Sequence, residues 1–239
     1  MKLRCLLGLL LWLGVALVRV PAQVVIQVHS FPAAQWGVSD TTLGVAGYVV
    51  EDFEDVNLVA GLLIGWNTAA GNVSPANTIP FTFNPVTDDP FGTAFTQGGT
   101  GAWDGTRGLI NTRTNQSYDY NLVANWGDIV IQFTTPVTSV GFSLQQNDYD
   151  VGLVINGTDF GGLQSYTSIA ANGARYAYIR IDATSGSISS LTLVNGKLAF
   201  NDGLMIDHLA FAPVPEPETV LLLPLGLAAL RLLSRRRQA

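Results

Sequence analysis

Cysteine is nearly absent from this 239-residue chain, and the one present, Cys5, sits at the start of an apolar run. The rest of the chain therefore has no thiol and no disulfide staple. Histidine is scarce too: His29 and His208 stand far apart in sequence. No H-E-x-x-H, G-x-S-x-G or phosphate-cradling glycine loop accompanies them. Both histidines read as ordinary strand or loop residues. No catalytic residue is assigned and the chain is not expected to be an enzyme. The remaining catalytic alternative is a polysaccharide hydrolase using two carboxylates, because aspartates are plentiful. Basic residues are depleted except at the two ends. Between Gln23 and Pro213 only Arg107, Arg113, Arg175, Arg180 and Lys197 face 16 acidic residues, a formal charge of −11. Such a body repels nucleic acid and anionic lipid and suits cations. Long hydrophobic runs are missing as well. None approaches the ~20 residues of a comfortable membrane span.

The apolar runs that are present have informative flanks. Lys2 and Arg4 precede Cys5–Val18, and Val20-Pro21-Ala22 follows it. This is the layout of a secretory signal peptide over residues 1–22, with cleavage expected after Ala22. An uncleaved anchor is the alternative. The second run, Thr219–Leu230, reaches Leu233 only by including Arg231. At ~1.5 Å per residue, a helix over about 219–233 spans roughly 22 Å, short of the ~30 Å hydrocarbon layer. Arg231 can snorkel toward Arg235, Arg236 and Arg237, which hold that end on the cytoplasmic side. Ahead of the run, Pro215 and Pro217 keep Val214-Pro215-Glu216-Pro217 extended. A marginal anchor behind a stiff extended peptide suits a segment that is held, read and cut.

These three parts, in this order, resemble the PEP-CTERM sorting signal of Gram-negative bacteria, here covering residues 214–239 with a basic tail at 234–239. Glu218-Thr219 stands where Ser-Thr is common in that family, and Arg231 precedes the main arginine cluster. The resemblance implies an exosortase, a membrane transpeptidase-like protease, as partner. It also implies export across the inner membrane, transient anchoring by the C-terminal helix, and delivery to the cell surface or exopolysaccharide. A plain C-terminal anchor and a glycolipid-anchor signal are the alternatives. The latter usually lacks terminal arginines.

Residues 23–213 read as one extracellular all-β domain, an antiparallel β-sandwich of jelly-roll type. Ile129, Ile131 and Phe133 share a face, as do Val140, Phe142 and Leu144, with Pro136 marking a turn or corner between them. Val151, Leu153 and Ile155 lead into Asn156-Gly157, a hairpin signal; Asn195-Gly196 after Leu191 and Leu193 is a second. Tyr176, Tyr178 and Arg180 alternate with Ala177, Ile179 and Ile181. Thr78–Phe83 alternates too. Gln23 to Gly44 is expected to be an irregular leader, and residues 67–78 and 84–127 to be loop-rich.

Alternation along the last strand puts Asp207 on one face with Met205, Leu209 and Phe211. A carboxylate there needs a cation, an arginine or several N–H groups. Asp52 and Glu54 in "EDFEDV" are its early counterparts. With the I-D-x-L-x-F ending, the pattern resembles carbohydrate-binding jelly rolls. That likeness implies a structural Ca²⁺ shared by Asp52, Glu54 and Asp207 through hard oxygen ligands. Asn147, Asp148 and Asp150 form another oxygen cluster, read first as a turn. Trp103, Asp104 and Arg107 in "GGTGAWDGTRG" offer an aromatic and polar set for a sugar; the alternative is a tryptophan folded down onto the domain. The expected role is structural or adhesive, with extracellular polysaccharide as a partner and a calcium-dependent lectin as the alternative.

Overall fold

A computed structural model of the protein describes residues 24–31, 36–88, 102–112, 126–146, 151–169, 175–195 and 203–213. Among them the chain is mostly antiparallel β-sheet with very little helix. The expected helix over 219–233, the sorting motif Val214, Pro215, Glu216 and Pro217, and Arg231, Arg235, Arg236 and Arg237 lie outside the described residues, as do Asn147, Asp148 and Asp150. Among those described, no helix is long and apolar enough to cross a membrane.

The organising element is β6, Gly127–Gln146, a 20-residue strand. Its first arm pairs with β3 (Leu62–Thr68) on one side and β11 (Ile188–Val194) on the other. Beyond these lie β4 (Val73–Ala76) against β3, and β7 (Gly152–Ile155) followed by β8 (Thr158–Gly162) against β11. The second arm pairs with β10 (Arg175–Ser185) and β12 (Leu204–Pro213). Beyond β10 lie β1 (Val25–Phe31) and the two-residue β9 (Ser168–Ile169). Beyond β12 lie β2 (Val49–Glu51) and β5 (Leu109–Ile110).

Pro136 sits where the arms meet. Thr134, Thr135 and Pro136 are exposed, while Ile129, Ile131 and Phe133 before them and Val140, Phe142 and Leu144 after them are buried. The positions that join the main core change from odd, Ile129 to Val137, to even, Val140 to Leu144, across the bend. The proline thus marks a corner inside one strand, not a turn between two. Strands that switch sheets through a bend or bulge are how two packed layers are joined. Side chains from both arms and their partners merge into one apolar cluster.

The hairpin expected at Asn156-Gly157 is present. β7 ends at Ile155 and β8 starts at Thr158, with φ of 50° at Asn156 and 80° at Gly157, the left-handed pair a two-residue turn requires. Asn156 also pins the β10–β11 connection. Its Oδ1 accepts from the Ser189 and Ser190 amides and the Ser189 hydroxyl, and its Nδ2 donates to the Ser187 carbonyl.

Four expectations change. Asn195-Gly196 does not join paired strands: β11 and β12 each pair with β6 and not with one another, and Gly196 lies outside the described residues. Gln23 to Gly44 is not wholly irregular, because Val25–Phe31 adds an antiparallel strand to β10. Thr78–Phe83 is held by isolated bridges at its two ends, Asn57 to Thr78 and Phe83 to Gly108, instead of forming a strand. The alternation of β12 breaks at His208, whose φ is 49°. Asp207 opposes Ser143 and Ala210 opposes Gly141, so His208 and Leu209 share the single partner Phe142, a β-bulge. Ile206, Leu209 and Phe211 join the main core, and Asp207 points the other way.

That other face of β10, β6 and β12 is also covered. Leu43, Val45, Trp103, Tyr178 and Ala210 are buried there together, with Trp36 and Tyr48 packed against them. The cover consists of residues 36–48, including the one-turn helix α1 (Asp40–Leu43), and of the 102–107 loop. Tyr178 lies over Gly141, where a Cβ would fall 2.7 Å from its Oη.

Candidate functional site

The β12 bulge turns two consecutive polar side chains, Asp207 and His208, toward this cover. β2 pairs with β12 on one side of the bulge and β5 on the other. Asp207 is fully buried. Its Oδ2 accepts from the amides of Trp103 at 2.6 Å and Asp104 at 3.1 Å, and its Oδ1 from the His208 amide at 2.7 Å. Burial, with the Asp104 charge beside it, pushes the Asp207 carboxyl up to about 9, against the pull of those three donors.

Glu54 holds the other half of the same loop. Its Oε1 accepts from the amides of Thr106 at 2.6 Å and Arg107 at 2.7 Å, and its Oε2 from the Thr106 hydroxyl at 3.1 Å. Gly105 lies between the two halves with φ of 62°, and a Cβ there would run into the Glu54 carboxylate. Only glycine meets both conditions at this position. The Arg107 guanidinium reaches back to the carbonyl and hydroxyl of Thr82.

His208 lies across the top. Its Nδ1 is 2.5 Å from Asp104 Oδ2, and its Nε2 is 3.0 Å from Asp40 Oδ1 on α1, an ion pair without the alignment of a full hydrogen bond. The imidazole is only 8 % exposed, while the two carboxylates reach solvent. Burial lowers its proton affinity, but Asp104 and Asp40 outweigh that, and the net shift is upward. Trp103 packs against Trp36 and Tyr178 at ring distances of 4.8 and 4.9 Å. The Tyr178 hydroxyl is pushed up, chiefly by burial and then by Asp40 and Asp104.

Glu54 and Asp207, expected to share a cation, both engage the 102–107 loop, and do so through its backbone N–H groups. Asp52 is engaged in its own turn, its Oδ1 accepting from the Glu54 amide at 3.2 Å. The oxygens of Asp207 and Glu54 that would bind an ion are met by donors, so these three residues do not fit a shared calcium, and we assign them no ion. Among the described residues no group of three or more His, Cys, Asp or Glu side chains is placed to hold a metal. Trp103, Asp104 and Arg107 are together, but the indole is 8 % exposed and its ring lies in the aromatic cluster. It has no open face for a sugar.

Glu51, Asp40, Tyr178 and His208 were missed as site residues. Glu51 is nearly fully buried, and its two oxygens take the amides of Phe53 and Val59, each at 2.8 Å. Burial first, and the nearby Asp52 and Asp55 charges to a smaller extent, push its carboxyl up. Its only sequence signal is an acid two residues after Val49, on the same face of a short strand. A second polar cluster joins β1, β10 and β6. Asp182 takes Arg180 and His29 on Oδ2, at 3.1 Å from Nη2 and from Nε2, and the Ser139 hydroxyl on Oδ1. The hydroxyl bonds the acid and not the imidazole, which is the wrong order for a serine nucleophile. Comparison with protein-family models, curated proteins and solved structures finds no match to this chain.

Proposed function

We propose that the chain is an exported protein of the cell surface or exopolysaccharide, sorted and cut at its Pro-Glu-Pro motif by an exosortase, with a structural or adhesive role. The observation that carries this is the ordered set Val214-Pro215-Glu216-Pro217, a 12-residue apolar run and the Arg235–Arg237 cluster, combined with a signal-peptide pattern over residues 1–22. Too short to span lipid comfortably, the run acts as a temporary hold for the protease.

The domain between is read as a jelly-roll-like sandwich. Its polar machinery is consistent with a holding role. Glu51, Glu54 and Asp207 are committed to backbone donors, and His208 is enclosed under Trp103. A domain without thiols gains from such clamps what a secreted domain often takes from disulfides. The test is intact-mass spectrometry of the protein isolated from a cell that has an exosortase. The expected species begins after Ala22 and ends near Pro217. A species that keeps Arg235, Arg236 and Arg237 overturns the proposal.

A further inference from the structure

His208 faces a carboxylate from each of two chain segments that are distant in sequence. Asp40 belongs to α1 and Asp104 to the 102–107 loop, and both segments lie on the outer face of β10, β6 and β12. The groups around the ring are Asp40 from α1, Asp104 and the Trp103 ring from the loop, Tyr178 from β10, and Asp207 on its own strand. Arg180, on the same strand as Tyr178, is engaged elsewhere: its Nη1 donates to the Leu43 carbonyl at 2.7 Å and its Nε and Nη2 bind Asp182. Nothing basic therefore shares the two carboxylates with the imidazole among the described partners.

The chemistry of imidazole makes this placement state-dependent. As an imidazolium it presents N–H to both sides. As a neutral ring it keeps one N–H, and its other nitrogen turns a lone pair toward a carboxylate oxygen. One attraction is then exchanged for a repulsion. The positive φ at His208 fixes where the ring emerges, so it cannot follow its partners without undoing the bulge.

We propose that His208 is a protonation-gated clamp: charged, it ties α1 and the Trp103 loop together over the sheet, and on losing its proton it releases one of them, so that the cover opens locally while the main core stays folded. Loosening the cover uncovers Trp36, Trp103 and Tyr178, an aromatic surface that is otherwise closed. The clamp is closed while the ring is charged and opens as pH rises, at a higher pH than a free imidazole would give, because both carboxylates favour the charged ring.

The test is hydrogen exchange by mass spectrometry on the full chain across a pH series, corrected for intrinsic exchange rates. Amides of residues 36–48 and 102–107 are expected to lose protection by up to tenfold per pH unit as pH rises from the ordinary imidazole value through the raised one, one proton's worth of linkage, and to level off above it. Amides of β3, β7 and β11 stay protected over the same range. Asp40→Asn keeps the buried ring in place and removes one exposed carboxylate, so the transition moves to lower pH. His208→Gln abolishes the transition at residues 36–48, which Asp207 does not bind. Flat protection in the wild type, loss of protection shared equally by β3, β7 and β11, or a transition that Asp40→Asn leaves unmoved overturns the clamp. If His208→Gln does not fold, the Asp40→Asn shift decides alone.

Discussion

At the scale of single residues, the most consequential group is a buried acid. Asp207 satisfies the Trp103, Asp104 and His208 amides, and removing it orphans these three donors at about 1–3 kcal/mol each, partly offset by no longer burying the carboxyl. Asp207→Ala is expected to cost about 2–4 kcal/mol in urea unfolding. Asp207→Asn should cost roughly half of that, because one oxygen remains to accept while its NH₂ faces a donor. Gly105→Ala should also destabilise, by about 1–3 kcal/mol, since it meets a left-handed backbone and the Glu54 carboxylate at once. A circular-dichroism melt of the variant that matches wild type would contradict that reading. Part of this was legible in the sequence. A lone carboxylate amid Met205, Leu209 and Phe211 calls for a partner. Which partner it takes was not legible, because the choice rests on residue 103 folding back across more than a hundred positions. Nor was its direction: no glycine or proline marks the bulge, and a histidine at φ 49° is not a pattern that alternation can foresee.

At the scale of elements, the turn at Asn156-Gly157 was legible because its chemistry is local. Two left-handed residues need that dipeptide, and the strands on either side follow. What the dipeptide does not reveal is that Asn156 also fastens Ser187, Ser189 and Ser190 to β7. Asn156→Ala should therefore lose more than a turn preference, about 1.5–3 kcal/mol, by adding lost side-chain bonds to backbone strain. Asn156→Asp tests the split. It keeps the accepting oxygen for Ser189 and Ser190 and loses only the donation to Ser187, so chemical denaturation should place it between wild type and the alanine variant. The corner in β6 was half legible. Pro136 signalled an interruption, but a proline reads the same whether a strand ends or bends. The parity change between Phe133 and Val140 stands in the sequence, but that both arms belong to one strand becomes visible only with the pairing of β3 and β10 to the separate arms.

At the scale of the whole molecule, the buried titrating groups act in one direction. Glu51, Asp207 and His208 all hold protons more tightly than in the unfolded chain. Each contributes stability that is full below its unfolded value, 4.5, 3.8 and 6.5 in turn, and that is lost as pH rises through its folded value. The melting temperature is therefore expected to fall from about pH 5 to about pH 9, a trend that differential scanning calorimetry reads directly. A rise over that range would mean that the three N–H donors on Asp207 dominate. The all-β class followed from strand alternation and scarce helical periodicity, which belong to the chain as a whole. The layout of the ladders did not, because antiparallel strands of similar composition can be ordered in many ways. One consequence of that layout concerns orientation. Val25 pairs with Ser185 at the start of β1, and Pro213 pairs with Val137 at the end of β12, so both ways out of the domain open at the same pole, beside the corner in β6. Held through residue 214 as proposed, the domain would hang as a pendant and not as a link in a line, with the ladder positions of Gln146, Arg175 and Leu204 at the end far from the tether.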